Sequence, residues 1–95
     1  MHTQEYMSLS RASGDIGDQF YRCLTEWLRS RGEHPSSDCR EIGRQYSEAL
    51  TRQLRYLNSL PPDPKRDAAI TSCETYIASL NKSLCLLDAP LKGAH

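Results

Sequence analysis

The sequence predicts an all-α fold, a three-helix bundle built on a long antiparallel helical hairpin. Three observations predict it. Apolar residues recur at spacings of three and four in three stretches, glycines and prolines separate these stretches, and no stretch alternates as a strand does. The 95 residues suit one domain. We predict a flexible N-terminal tail over 1–14, one helical domain over 15–90 and a frayed C-terminus over 91–95.

The first helix is predicted over about 15–31. Acidic Asp15 and Asp18 suit the positive end of its dipole, and Gly32 followed by Pro35 ends it. Its apolar face consists of Ile16, Phe20, Cys23, Leu24, Trp27 and Leu28.

The second helix is predicted over about 37–60. Gly43 lies beside its apolar stripe, where a glycine costs about 1 kcal/mol of helix propensity. We therefore expect another helix to approach closely there. The stripe consists of Cys39, Ile42, Tyr46, Ala49, Leu50, Leu54, Leu57 and Leu60.

The third helix is predicted over about 64–88. No helix continues through Pro61-Pro62-Asp63-Pro64, but Asp63 suits the N-cap and Pro64 the first helical position. A connection this short makes the second and third helices antiparallel. Pairing of two such units into a larger bundle, as a dimer, is compatible with this fold. The apolar positions follow the alternation of a coiled-coil seam: Ile70, Cys73, Ile77, Leu80, Leu84 and Leu87.

The four cysteines are expected to be reduced, because the first 15 residues lack the apolar run of a signal peptide and the expected location is therefore cytoplasmic. A turn centred near residue 62 places Cys39 and Cys85 at the same height in the hairpin, so a disulfide between these two is a second possibility. Cys23 and Cys73 are predicted to be core residues. No cysteine pair has the spacing of a zinc site, and we expect no metal or cofactor.

Catalysis is not predicted. The sequence contains no nucleotide-binding, zinc-protease or nucleophile-elbow motif, and its histidines lie in the tails and one loop. The 12 basic and 12 acidic residues give zero net charge, which argues against a nucleic-acid or membrane partner. A row of arginines on the second helix is interrupted by Glu48, so we interpret it as a solvated, self-paired face: Arg40, Arg44, Arg52 and Arg55.

Apolar and aromatic residues in excess of a three-helix core predict an interface, because the first helix is too short to cover both faces of the hairpin. The candidate partner-binding residues are Tyr56, Tyr76, Leu80, Leu86 and Trp27. The expected function is non-catalytic: the chain binds, sequesters or escorts a partner protein by helix packing, and self-association is compatible with this. In size and architecture it resembles the small helical anti-activators and secretion chaperones of bacteria.

Two other functions remain open at this point. A self-assembling structural subunit of the helical-hairpin type is the first, because secretion-needle subunits have a similar turn containing Pro and Asp. The second is a nucleic-acid-binding regulator that uses the arginine row, which would show a steep salt dependence.

Overall fold

The computed structural model describes residues 3–31 and 36–88, and it contains three helices within them. Helix α1 spans Thr3–Arg29, α2 spans Ser36–Asn58 and α3 spans Pro64–Asp88. Helix α2 packs against both α1 and α3, whereas no Cα atom of α1 lies within 8 Å of one in α3. The predicted all-α three-helix fold is confirmed, with α2 as the central helix. Residues 1–2 of the predicted tail and the predicted frayed end over 91–95 lie outside the described residues.

Helix α1 begins at Thr3, so the prediction of a flexible tail is wrong for residues 3–14. Contacts with α2 explain the longer helix. The Ser13 hydroxyl donates to Gln53 Oε1 at 2.8 Å, and the Gln53 amide nitrogen donates to the Tyr6 hydroxyl at 3.5 Å. Both Ser13 and Gln53 are buried, so this polar bridge joins α1 to α2 inside the protein. Tertiary contacts therefore outweigh the low helix propensity of Gly14 and Gly17.

The ends of the helices follow ordinary capping chemistry. Arg31 has a φ of 55°, the left-handed conformation with which many helices terminate. At the start of α3 the Asp63 carboxylate accepts a hydrogen bond from the Lys65 amide at 2.9 Å, which confirms the predicted N-cap. The Arg66 guanidinium donates to the Leu60 carbonyl at 2.8 Å and thereby satisfies an acceptor just beyond α2.

The core lies where the three apolar stripes meet. Partly buried Ile16, Cys23, Ile42, Ile77 and Leu84 pack against it. Its buried members come from all three helices: Phe20, Leu24, Trp27, Cys39, Tyr46, Leu50, Leu80 and Leu87. Every one of them belongs to a predicted stripe, but Leu28 of the first stripe is 48% exposed, so the prediction of the inner face is wrong at this residue near the end of α1.

Neighbouring helices approach Gly43 closely, as predicted. A Cβ atom at this position would lie 2.7 Å from Leu84 Cδ2 and 2.9 Å from Phe20 Cε1. Side chains from α3 and α1 therefore both close over the same point of α2, and only a residue without a side chain leaves room for them.

Replacement of Gly43 by valine is expected to lower the free energy of unfolding by about 1–3 kcal/mol, because the added atoms overpack the core. Gly14 is the matched control: it is also helical, and a Cβ there would meet nothing within 4 Å. Gly14→Val should be neutral or slightly stabilising, because valine has the higher helix propensity. Urea denaturation followed by circular dichroism measures both, and equal midpoints would contradict the tight contact.

Candidate functional site

The structure divides the predicted partner-binding residues into two groups. Trp27 is 4% exposed and Leu80 is 0% exposed, so their assignment to a partner surface is wrong, and both are core residues. Tyr76 and Leu86 are exposed, at 54% and 43%, while Tyr56 is half-buried. Leu80 belongs to the apolar seam of α3, which turns it towards α2 and away from the surface.

A groove runs between α1 and α3, because these helices do not approach each other closely. Its volume is about 410 Å³. The Tyr21 hydroxyl and Ser79 Oγ lie 3.4 Å apart across it, the one hydrogen bond between α1 and α3 among those found in the described residues. We call it the tyrosine groove; its lining includes Gly14, Gly17, Asp18 and Tyr21 of α1, Tyr46 and Gln53 of α2, and Tyr76 and Ser79 of α3.

Tyr46 supplies the aromatic floor of the tyrosine groove. It is buried, and its ring centroid lies 6.2 Å from that of Tyr21 with the planes at 80°, an edge-to-face arrangement. Gly17 makes this position possible, because a Cβ there would lie 2.9 Å from Tyr46 Cζ. Burial raises the pKa of the Tyr46 hydroxyl, and the neighbouring Tyr21, Tyr76 and Asp18 raise it further. The hydroxyl therefore stays neutral at physiological pH and can both donate and accept a hydrogen bond.

Asp18 is the one charged side chain that lines the tyrosine groove. Among the residues that the structure describes, no cation forms an ion pair with it. Arg22 lies four residues further along α1, only about 40° around the helix axis from Asp18, and lines the neighbouring cleft together with Glu26, Asp38 and Glu41. The tyrosine groove thus combines aromatic rings, hydroxyl groups and a single unpaired negative charge.

The arginine row on α2 is partly self-paired, as predicted. Arg44 lies between two glutamates: its Nη2 is 2.6 Å from Glu41 Oε1, and its Nη1 bonds to Glu48 Oε1. The bond from Arg44 lowers the pKa of the Glu41 carboxyl. Arg40 donates to the Leu87 carbonyl at 3.5 Å, whereas Arg52 and Arg55 are exposed beside Glu48.

The cysteine pairing differs from the sequence prediction. Cys39 forms a disulfide with Cys23 of α1, with their Cα atoms 5.7 Å apart, whereas Cys85 is exposed with a free thiol. The predicted alternative of a Cys39–Cys85 bond is therefore wrong, and so is the expectation that Cys23 and Cys39 are reduced. The prediction of Cys73 as a core residue is confirmed, since it is buried and free.

The helix register explains this pairing. Gly17 faces Tyr46 and Phe20 faces Gly43 across the antiparallel pair α1–α2. Continuing this register by one more turn brings Cys23 opposite the segment that contains Cys39. The predicted helix ends centre the first turn near residue 34, which would place Cys23 opposite about residue 45, so the position of the turn alone does not predict the bond.

Neither metal binding nor membrane crossing has structural support among residues 3–31 and 36–88. No three His, Cys, Asp or Glu side chains converge there as metal ligands do, and no helix there combines the length and the apolar composition that a bilayer span requires.

The tyrosine groove contains one residue that the sequence analysis assigned to a partner surface, Tyr76. Tyr21 and Asp18 were missed, because the α1–α2 register that places both next to Tyr46 does not follow from the position of the first turn. Comparison with protein-family models, with curated proteins and with solved structures finds no match. A function must therefore be inferred from the geometry and chemistry of the tyrosine groove itself.

Proposed function

We propose that this protein is a non-catalytic interaction module that holds a helix of a partner protein in the tyrosine groove. The observation that carries the proposal is the separation of α1 from α3. In a closed three-helix bundle every pair of helices is in contact, with axes about 8–10 Å apart. Here the backbone of α2 lies close to both neighbours, whereas α1 and α3 meet only through side chains, as in a four-helix bundle that lacks one helix.

The side chains at the groove favour a protein partner. Tyr21 and Tyr76 are 36% and 54% exposed at its walls, and tyrosine is enriched at protein interfaces because it buries a large ring while its hydroxyl finds a polar partner. Tyr46 beneath them is buried and held by its ring contacts, so the floor is rigid before a partner arrives. A rigid aromatic floor reduces the entropy that binding costs.

Sequestration or escort of a partner follows from the same geometry. A helix laid between α1 and α3 would bury its own apolar face against the tyrosines, and that face would no longer be available for other contacts. Binding of this kind needs complementary surfaces and no chemical step. A second copy of this chain could also supply the complementary surface, and a measurement of the oligomeric state tests whether the groove serves self-association.

Replacement of Tyr76 by glutamate is expected to weaken partner binding more than tenfold, because it introduces a charge beside Asp18 and removes an aromatic wall. The tagged chain is first used to capture its partner from the cells that make it, with the disulfide intact. The purified partner is then titrated against each variant by calorimetry, and circular dichroism verifies that every variant is folded.

Leu86→Glu is the matched control. Leu86 is also an exposed apolar residue of α3, but it does not line the tyrosine groove. The Leu86→Glu variant should bind the partner with the same affinity as the natural sequence. Equal losses in the two variants, or none in either, would contradict a role for the groove, and a dimer in sedimentation that Tyr76→Glu dissociates would assign the groove to self-association.

A further inference from the structure

Within residues 3–31 and 36–88, Asp18 forms no ion pair with a basic side chain. Arg22 is the nearest basic residue along the helix, about 40° around its axis from Asp18, but it lines the neighbouring cleft, where the acidic Glu26, Asp38 and Glu41 surround it. Arg44 is held by Glu41 and Glu48 on α2. The carboxylate of Asp18 therefore faces a groove whose other lining residues are uncharged.

We infer that the tyrosine groove recognises the guanidinium group of an arginine that the partner's helix carries, with Asp18 as the ion-pair acceptor and the rings of Tyr21 and Tyr76 as the aromatic walls. This inference rests on the proposed function and specifies its partner chemically. It assigns to the partner a positive charge on the same face as its apolar side chains.

The chemistry of the lining matches arginine better than a neutral side chain. A cation next to tyrosine rings is attracted by their electron-rich faces, and the planar guanidinium also stacks on them. Its five N–H groups can bond the Asp18 carboxylate and the hydroxyls of Tyr21 and Ser79, which lie only 3.4 Å apart. A bond between a guanidinium and a carboxylate is charge-assisted, so it is stronger than a bond between neutral groups.

The volume of the tyrosine groove suits this occupant. About 410 Å³ falls within the range of sites that bind small ligands and is ample for one long side chain with part of its helix. A negative charge at the centre of an interface discriminates against partners without a cation, because binding them would leave the carboxylate desolvated and unpaired. Asp18 would therefore select the partner as well as hold it.

The test uses the full chain labelled with ¹⁵N, with its disulfide intact, and N-acetyl-arginine methylamide as the probe. N-acetyl-citrulline methylamide is the matched ligand, because it has nearly the same shape and no charge. We expect saturable shifts of the amide signals of Gly17, Asp18 and Tyr76, and an affinity for the arginine probe at least about fivefold above that for citrulline.

Three variants test the roles of the Asp18 carboxylate and the Tyr76 ring. Asp18→Asn should abolish the preference for arginine over citrulline, and Tyr76→Leu should weaken binding of the arginine probe about fivefold while Tyr76→Phe keeps it, because the ring is retained. Equal affinity for the two probes, shifts confined to Glu41 and Glu48, or unchanged binding by Asp18→Asn would overturn the inference. Partner binding that is sensitive to Tyr76→Glu despite such a result would leave the proposed function standing, so the two failures are distinguishable.

Discussion

Reduction of the Cys23–Cys39 disulfide is expected to lower the free energy of unfolding by about 3 kcal/mol. The bond joins residues 16 apart in the sequence and ties α1 to the first turns of α2. Without it the unfolded chain gains the conformational freedom of that loop, while the folded state keeps its packing, because Cys39 is fully buried and its thiol remains compatible with the core. Urea denaturation at pH 7 with and without a reductant, followed by circular dichroism, measures the difference.

Two variants separate this bond from other effects of the reductant. Cys85→Ser should respond to reduction as the natural sequence does, because Cys85 is exposed and unpaired. Cys23→Ala should already have the lower stability and show no further response. If the natural sequence unfolds at the same urea concentration in both conditions, the disulfide does not stabilise the fold. An effect of about 3 kcal/mol is large for a domain of this size, whose total stability is of the order of 5–15 kcal/mol.

The disulfide also affects the tyrosine groove, because it fixes the register between α1 and α2. Asp18 and Tyr21 are in the same helix as Cys23, within about one and a half turns before it, and Tyr46 is on the helix to which the bond attaches. Reduction of the disulfide would free the end of α1 from the start of α2, and α1 could then shift relative to α2. The titrations of the groove therefore require the oxidised protein, and a comparison with the reduced protein shows how far binding depends on the register.

Periodicity determined how much of this structure the sequence could predict. The repeated spacing of three and four predicted the buried face of each helix apart from Leu28, which is exposed, and the Pro–Pro–Asp–Pro turn predicted the start of α3 at Pro64 with its cap at Asp63. These features depend on residues close together in the chain, so local physical chemistry is sufficient for them.

The start of α1 and the composition of the groove depend on residues far apart in the chain. Gly14 and Gly17 argue locally against a helix, yet Ser13 is bonded to Gln53, 40 residues away, and Gly17 gives room to Tyr46. The helix propensity of a segment does not reflect either of these long-range contacts. The groove additionally requires the separation of α1 from α3, which no stripe of apolar residues encodes, because each stripe specifies the direction of burial and not which helices meet.

Replacement of Leu80 by alanine is expected to lower the free energy of unfolding by about 2–5 kcal/mol, the cost of a cavity in a packed core. Leu80 is fully buried at the centre of the cluster between the three helices. Leu86 of the same helix is the control, because it is 43% exposed, and Leu86→Ala should change stability by no more than about 0.5 kcal/mol. Urea denaturation measures both variants, and similar midpoints would contradict the placement of these two residues.

The same pair of variants also separates stability from recognition. Leu80→Ala is expected to weaken partner binding only to the extent that it unfolds the chain, because its side chain does not line the tyrosine groove. At a urea concentration where both variants are fully folded, their affinities for the partner should be equal. A loss of affinity in folded Leu80→Ala would show that the core beneath the groove moves on binding, and the rigid floor at Tyr46 would then have to be replaced by one that rearranges with the partner.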